Sequence, residues 1–123
     1  MRLLLSAAIF GLALLTSTHS YAFSASFKWC TGSSPLFSLS GVPKGTATLS
    51  FHMFDHQAAF NHGGGDVRYT GQKTVPCGSL HEWTGPFPPP GATHTYEFTI
   101  KALDSAGNVL GTANPSRDYP ERP

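Results

Sequence analysis

Thr93-His94-Thr95-Tyr96-Glu97-Phe98-Thr99-Ile100-Lys101-Ala102 alternates without a break. His94, Tyr96, Phe98, Ile100 and Ala102 share one side, and Thr93, Thr95, Glu97, Thr99 and Lys101 the other, because successive side chains of a strand point to opposite faces. The segment is therefore a strand with one buried face. Asp104-Ser105-Ala106-Gly107-Asn108 turns the chain into a second strand at Val109–Thr112, which makes the pair a hairpin. The same period recurs upstream in Phe23-Ser24-Ala25-Ser26-Phe27-Lys28-Trp29. It recurs again from Thr46, with Ala47, Leu49, Phe51 and Met53 on one face and Thr48, Ser50, His52 and Phe54 on the other. Continuing that count places Asp55 on the apolar face.

Pro35-Leu36-Phe37-Ser38-Leu39-Ser40 is a short extended piece that ends in the turn Gly41-Val42-Pro43-Lys44-Gly45. Residues 56–92 are poorly periodic and interrupted by Gly63-Gly64-Gly65, Gly71, Pro76, Gly78 and the run from Gly85 to Gly91. A short strand is expected there at Asp66–Thr70, and the glycine triplet reads as a sharp turn beside His62. The tail over 113–123, with Pro115, Pro120 and Pro123, reads as irregular. No helical period of useful length competes, so the expected class is all-β: a small β-sandwich of short strands with long loops at one end.

The chain opens with Met1-Arg2, continues through an apolar run from Leu3 to Leu15, and turns polar at Thr16-Ser17-Thr18-His19-Ser20. That layout is a secretory signal peptide, and small residues in Ser20-Tyr21-Ala22 predict cleavage after Ala22. A membrane anchor needs roughly 20 apolar residues, whereas this run has about 13. Residues 1–22 are thus expected to leave a single domain, 23–123, that is periplasmic or secreted and has no integral membrane association after cleavage. About 100 residues suffice for one modest core and leave no room for a second.

Lys and Arg total 8, Asp and Glu 7, and Arg2 lies in the leader, so the expected mature domain is neutral. Without a basic cluster it lacks the footprint needed by nucleic-acid binders. Cys30 and Cys77 are the only cysteines, and in an oxidising compartment two cysteines pair more often than they stay free. One disulfide is therefore expected.

The two clearest strands end their apolar faces in ionisable residues: Asp55 after Met53, and His94 with Tyr96 before Phe98. Burying a charge at the rim of a core is costly unless a partner is supplied. The pattern suits a ligand pocket, and equally an Asp–His pair that satisfies itself. His52, His56, His62, His81 and His94 are dense enough to raise zinc or copper binding, but no HxH spacing presets a site, so no metal and no cofactor is expected. No serine occupies a GxSxG elbow and the disulfide leaves no thiol, so an enzyme is not expected.

The run Gly85-Pro86-Phe87-Pro88-Pro89-Pro90-Gly91-Ala92-Thr93-His94-Thr95-Tyr96, leading into a strand that ends Ala102-Leu103-Asp104, resembles the phosphatidylethanolamine-binding protein family in its bacterial Raf-kinase-inhibitor-like branch. Ser34-Pro35-Leu36-Phe37-Ser38-Leu39-Ser40-Gly41-Val42-Pro43-Lys44-Gly45-Thr46 is similar to a second segment of that family, with Leu39 where relatives carry tryptophan. The resemblance implies a β-sandwich with a small pocket at one end that accepts phosphate or a phospholipid head group. It implies Asp55, His62, Gly85, Pro86, His94 and Tyr96 as ligand-binding residues. Of the family's Asp-Pro-Asp-x-Pro stretch only Asp55 is kept, His62 lacks the tryptophan that follows it in relatives, and the segment after Asp55 is short. The expected partner is a small anionic or phospho-containing ligand; no protein partner can be named. Two alternatives stand beside this reading: an immunoglobulin- or fibronectin-like interaction domain, suggested by Tyr96 to Asn108, and a metal binder using the loop histidines.

Overall fold

The computed structural model describes residues 21–121. The expected leader lies outside that range except for Tyr21 and Ala22. These two form strand β1 (Tyr21–Ala22), which pairs in parallel with Gly111 and Thr112.

The alternating segments all become strands, and the described residues contain no helix. Phe23 to Trp29 gives β2 (Ser24–Cys30), antiparallel to β3 (Ser33–Ser40). The stretch from Thr46 gives β4 (Thr48–Asp55), in which Leu49, Phe51, Met53 and Asp55 are buried. Next come β5 (Phe60–Arg68) and the two-residue strands β6 (Thr74–Val75) and β7 (Glu82–Trp83). The opening decapeptide lies within β8 (His94–Leu103) but for Thr93, and is followed by β9 (Val109–Ala113) and β10 (Ser116–Tyr119).

Two sheets result. The larger runs β1-β9-β8-β4-β5-β7, with β10 also paired to β8, and the smaller runs β2-β3-β6. Their apolar faces meet through aromatic rings. Phe27 and Phe37 of the small sheet stand 5.1 Å and 4.9 Å from Phe98, and Phe37 is 4.6 Å from Phe51. Each fully buried side chain of this size contributes about 1.5–3 kcal/mol from removal of apolar surface from water. The class expected from sequence, all-β with one disulfide, is the class observed: Cys30 and Cys77 are bonded, with Cα atoms 6.0 Å apart.

Three expectations are corrected. The strand placed at Asp66–Thr70 is β5, which starts at Phe60 and ends at Arg68. The glycine triplet is not a turn but the middle of that strand. Met53 pairs with Gly63 and Phe54 with Asn61, so His62 is an extra residue, a β-bulge. Glycine is needed because of crowding: a Cβ on Gly64 would lie 1.9 Å from the carbonyl oxygen of Phe51. The tail is not irregular either. Ser116 to Tyr119 pairs antiparallel with Glu97 to His94, completing the half of β8 that β9 leaves open.

Candidate functional site

Asp55, the last residue of β4, faces inward as the alternation requires and is only 3% exposed. Its Oδ1 accepts hydrogen bonds from the backbone N–H groups of Gln57 and Ala58, both at 3.0 Å, which fixes the turn into β5. Its Oδ2 lies 2.7 Å from Nδ1 of His94, the first residue of β8. Burial pushes the Asp55 carboxyl up, but hydrogen bonds from His94 and Ala58, the charge of the His94 imidazole and a further bond from Gln57 outweigh it. The net effect holds the carboxyl below its ordinary value.

His62 reaches the same place through the bulge. It is 6% exposed, and its Nε2 is 3.9 Å from Oδ2 of Asp55. On its other side, Nδ1 stands 3.1 Å from the carbonyl oxygen of Thr84. A carbonyl only accepts and an ionised carboxylate only accepts, so both histidines carry their proton on Nδ1. The Nε2 of His94 is thereby left for other work, while that of His62 faces Asp55. Asn61 supports the bulge by accepting from the N–H of Gly63 at 2.8 Å.

Tyr96 completes the group. Its ring packs edge-on to His62 at 5.4 Å and to Trp29 at 5.6 Å, and stacks near His94 at 6.4 Å. It is fully buried, and its hydroxyl has no hydrogen-bond partner among the described residues. Burial, reinforced by the nearby Asp55 charge, pushes the phenol up to about 12. Asp55 also attracts the phenol proton and adds to the shift, though the two groups stop short of full hydrogen-bonding geometry. A buried polar atom left unpaired costs about 1–3 kcal/mol.

The sequence-predicted residues therefore divide. Asp55, His62, His94 and Tyr96 come together from β4, β5 and β8. Gly85 and Pro86 instead line a neighbouring cavity with Trp29, Trp83, Phe87 and Tyr119. Sequence reasoning missed Thr84, whose carbonyl holds His62, since no side-chain pattern marks a backbone acceptor. It also missed Tyr119, because the tail was read as unstructured. Among the described residues no group of three or more His, Cys, Asp or Glu is placed to hold a metal ion.

No protein-family profile matches the sequence. No curated protein matches it either. The structure does have a counterpart: Escherichia coli YbcL, described as a new member of the mammalian PEBP family, superposes with a TM-score of 0.51 at 19% identity, covering 84% of this chain and 89% of that one. The fold is PEBP-like. The PEBP-like arrangement fits the two sequence segments that suggested it, since Ser34 to Ser40 lies within β3 and His94 to Leu103 is β8. In this PEBP-like chain the β4–β8 ladder is what brings Asp55 and His94 to one end, with Asp55 directly opposite Tyr96.

Proposed function

We propose that this protein is an extracytoplasmic binder of a small phosphate-containing ligand, held at Asp55, His62, His94 and Tyr96. The observation that carries the reading is the buried, unpartnered hydroxyl of Tyr96 set between two imidazoles, His94 with its Nε2 uncommitted and His62 with its Nε2 facing Asp55 at 3.9 Å. A phosphate oxygen would accept from the phenol, and a protonated imidazole would donate from Nε2, giving charge-assisted hydrogen bonds. Asp55 would orient His94 and offset part of the positive charge. Such a constellation suits a phosphate or phospho head group better than a nucleic acid, for which a chain with 8 Lys and Arg against 7 Asp and Glu has no marked basic excess.

The role is binding rather than catalysis. Both thiols are tied in the disulfide, and the site offers no activated nucleophile. The same disulfide is consistent with an oxidising compartment, in keeping with a periplasmic or secreted location.

The test is a titration of the protein with inorganic phosphate and with phosphorylethanolamine, following the histidine ring signals by NMR. Shifts confined to His62 and His94, saturating below millimolar ligand, are the expected result. Absence of any response in that range sinks the proposal. Adding zinc or copper to the same sample separates a metal binder from an anion binder.

A further inference from the structure

Both tryptophans of the chain, Trp29 and Trp83, line a cavity of about 490 Å³ together with Tyr119, Phe87, Leu80 and Gly85. No Lys, Arg, His, Asp or Glu borders it among the described residues. The indole N–H of Trp29 donates to the carbonyl oxygen of Asp118 at 2.9 Å, and that of Trp83 to Sδ of Met53 at 3.3 Å. With both donors engaged elsewhere, the two indoles offer ring carbon, while Cys30, Gly32, Ser33, Ser34 and Gly78 supply the more polar part of the lining. Gly85 lies where two rings converge: a Cβ there would stand 3.4 Å from Cη2 of Trp83 and 3.8 Å from Cε2 of Phe87. Phe87 itself is 79% exposed, in a segment stiffened by Pro86 and Pro88 to Pro90, so a large apolar ring is held in water at the cavity's edge.

The cavity adjoins the polar site at three points. Thr84, whose carbonyl holds His62, lies between Trp83 and Gly85. The Trp29 ring packs on Tyr96. Tyr119 pairs with His94 in the β10–β8 ladder.

We propose that this cavity is a second subsite, which takes a flat, uncharged aryl group carried by a ligand whose phosphate lies at Asp55, His62 and His94. The inference rests on the anion-site reading above. The volume lies in the range of cavities that hold drug-sized molecules and is far more than a phosphate needs. An alkylammonium group is disfavoured because no carboxylate lines the cavity, and in the adjoining hollow that shares Trp29 and Tyr119 the cations Lys28 and Arg117 outnumber one carboxylate, Glu121, which Arg117 already binds. A sugar is disfavoured because its many hydroxyls would find only those of Ser33 and Tyr119 as side-chain partners: Ser34 is buried, and its Oγ already accepts from the N–H of Leu80. An aromatic ring gains offset or edge-to-face contacts with four others beyond the burial of its area.

Because Trp29 and Trp83 are the only tryptophans and both line it, intrinsic fluorescence reports on this cavity, with Trp29 also sensing the packed ring of Tyr96. The experiment titrates the whole protein with phenyl phosphate, n-butyl phosphate and inorganic phosphate, reading fluorescence and histidine NMR signals together. Phenyl phosphate is expected to bind at least tenfold more tightly than either of the others, with a tryptophan response. In Phe87→Ala, whose exposed position makes misfolding no concern, that advantage is expected to vanish. Equal affinity for phenyl phosphate and inorganic phosphate overturns the subsite while sparing the phosphate site. Equal affinity for butyl and phenyl phosphate overturns the choice of an aryl group. If inorganic phosphate leaves the histidines unmoved while benzyl alcohol shifts the tryptophan emission in wild type and not in Phe87→Ala, the aromatic subsite stands and the phosphate reading falls.

Discussion

His94 Nδ1 and Asp55 Oδ2 meet at 2.7 Å across adjacent strands, at the one end of the sheet where β4 finishes and β8 begins. Asp55 ionises more readily in the folded protein than its ordinary value of 3.8. Its stabilising contribution is thus fully present above that value and is lost as the pH falls through the lower folded value. Asp55→Asn is expected to destabilise the protein by roughly 1–3 kcal/mol near neutrality, since it weakens the hold on His94 and on the N–H groups of Gln57 and Ala58. Urea denaturation of both proteins from about pH 6 down to about pH 3 should show the gap between them narrowing. A gap that stays constant across that range would contradict the assignment.

Tyr96→Phe separates binding from folding. Removing a buried hydroxyl that has no partner should leave stability unchanged or slightly raised, by up to about 1 kcal/mol. Phosphate affinity should drop about tenfold, the value of one good hydrogen bond. A clear loss of stability in this variant would mean that the hydroxyl has a structural partner after all.

The Cys30–Cys77 bond spans a sequence separation of 47 and ties the end of β2 to the segment after β6. Chain-entropy arguments value such a closure at about 4 kcal/mol. Reduction, or the Cys30→Ser/Cys77→Ser pair, should lower unfolding free energy by several kcal/mol, a large part of what a domain this size has. Denaturation with and without reductant measures it directly; a difference under about 1 kcal/mol would show that the folded scaffold does not depend on the bond.

Gly64→Ala tests the close approach of β4 and β5. A methyl group 1.9 Å from the Phe51 carbonyl oxygen forces the β4–β5 ladder apart, and a loss of about 3 kcal/mol or more is expected. Gly107→Ala is the control, with open space around it but a φ of +85°, and should cost only about 1–2 kcal/mol. Circular dichroism melts of the two variants should rank in that order, and the reverse order would remove the crowding argument.

How much of this was legible beforehand differs by residue. Leu49, Phe51 and Met53, like Phe98, Ile100 and Ala102, announce their burial because alternation is a local property, and Asp55 and His94 inherit their inward orientation from the same count. His62 follows no such count. Its direction depends on one extra residue in β5, permitted by glycines whose lack of side chain looks, in sequence, like a turn. Ser116 to Tyr119 is hidden for a different reason: its flanking prolines suggest a break, while its pairing is set by β8, which lies beyond the intervening β9. Trp29 shows its strand but not its role, since its neighbours Tyr96 and Tyr119 are supplied only by tertiary packing.

The last strand has a consequence for how the molecule is made. Asp118 receives the Trp29 indole and Arg117 donates to the Phe27 carbonyl, so β10 laces β2 to β8 and joins the edges of both sheets. The seam of β2 therefore closes only when β10, about 90 residues away, is in place. Such long-range dependence slows folding, because distant segments must find each other before either is rewarded. A chain cut before residue 116 would present Trp29 and the lower half of β8 without their cover.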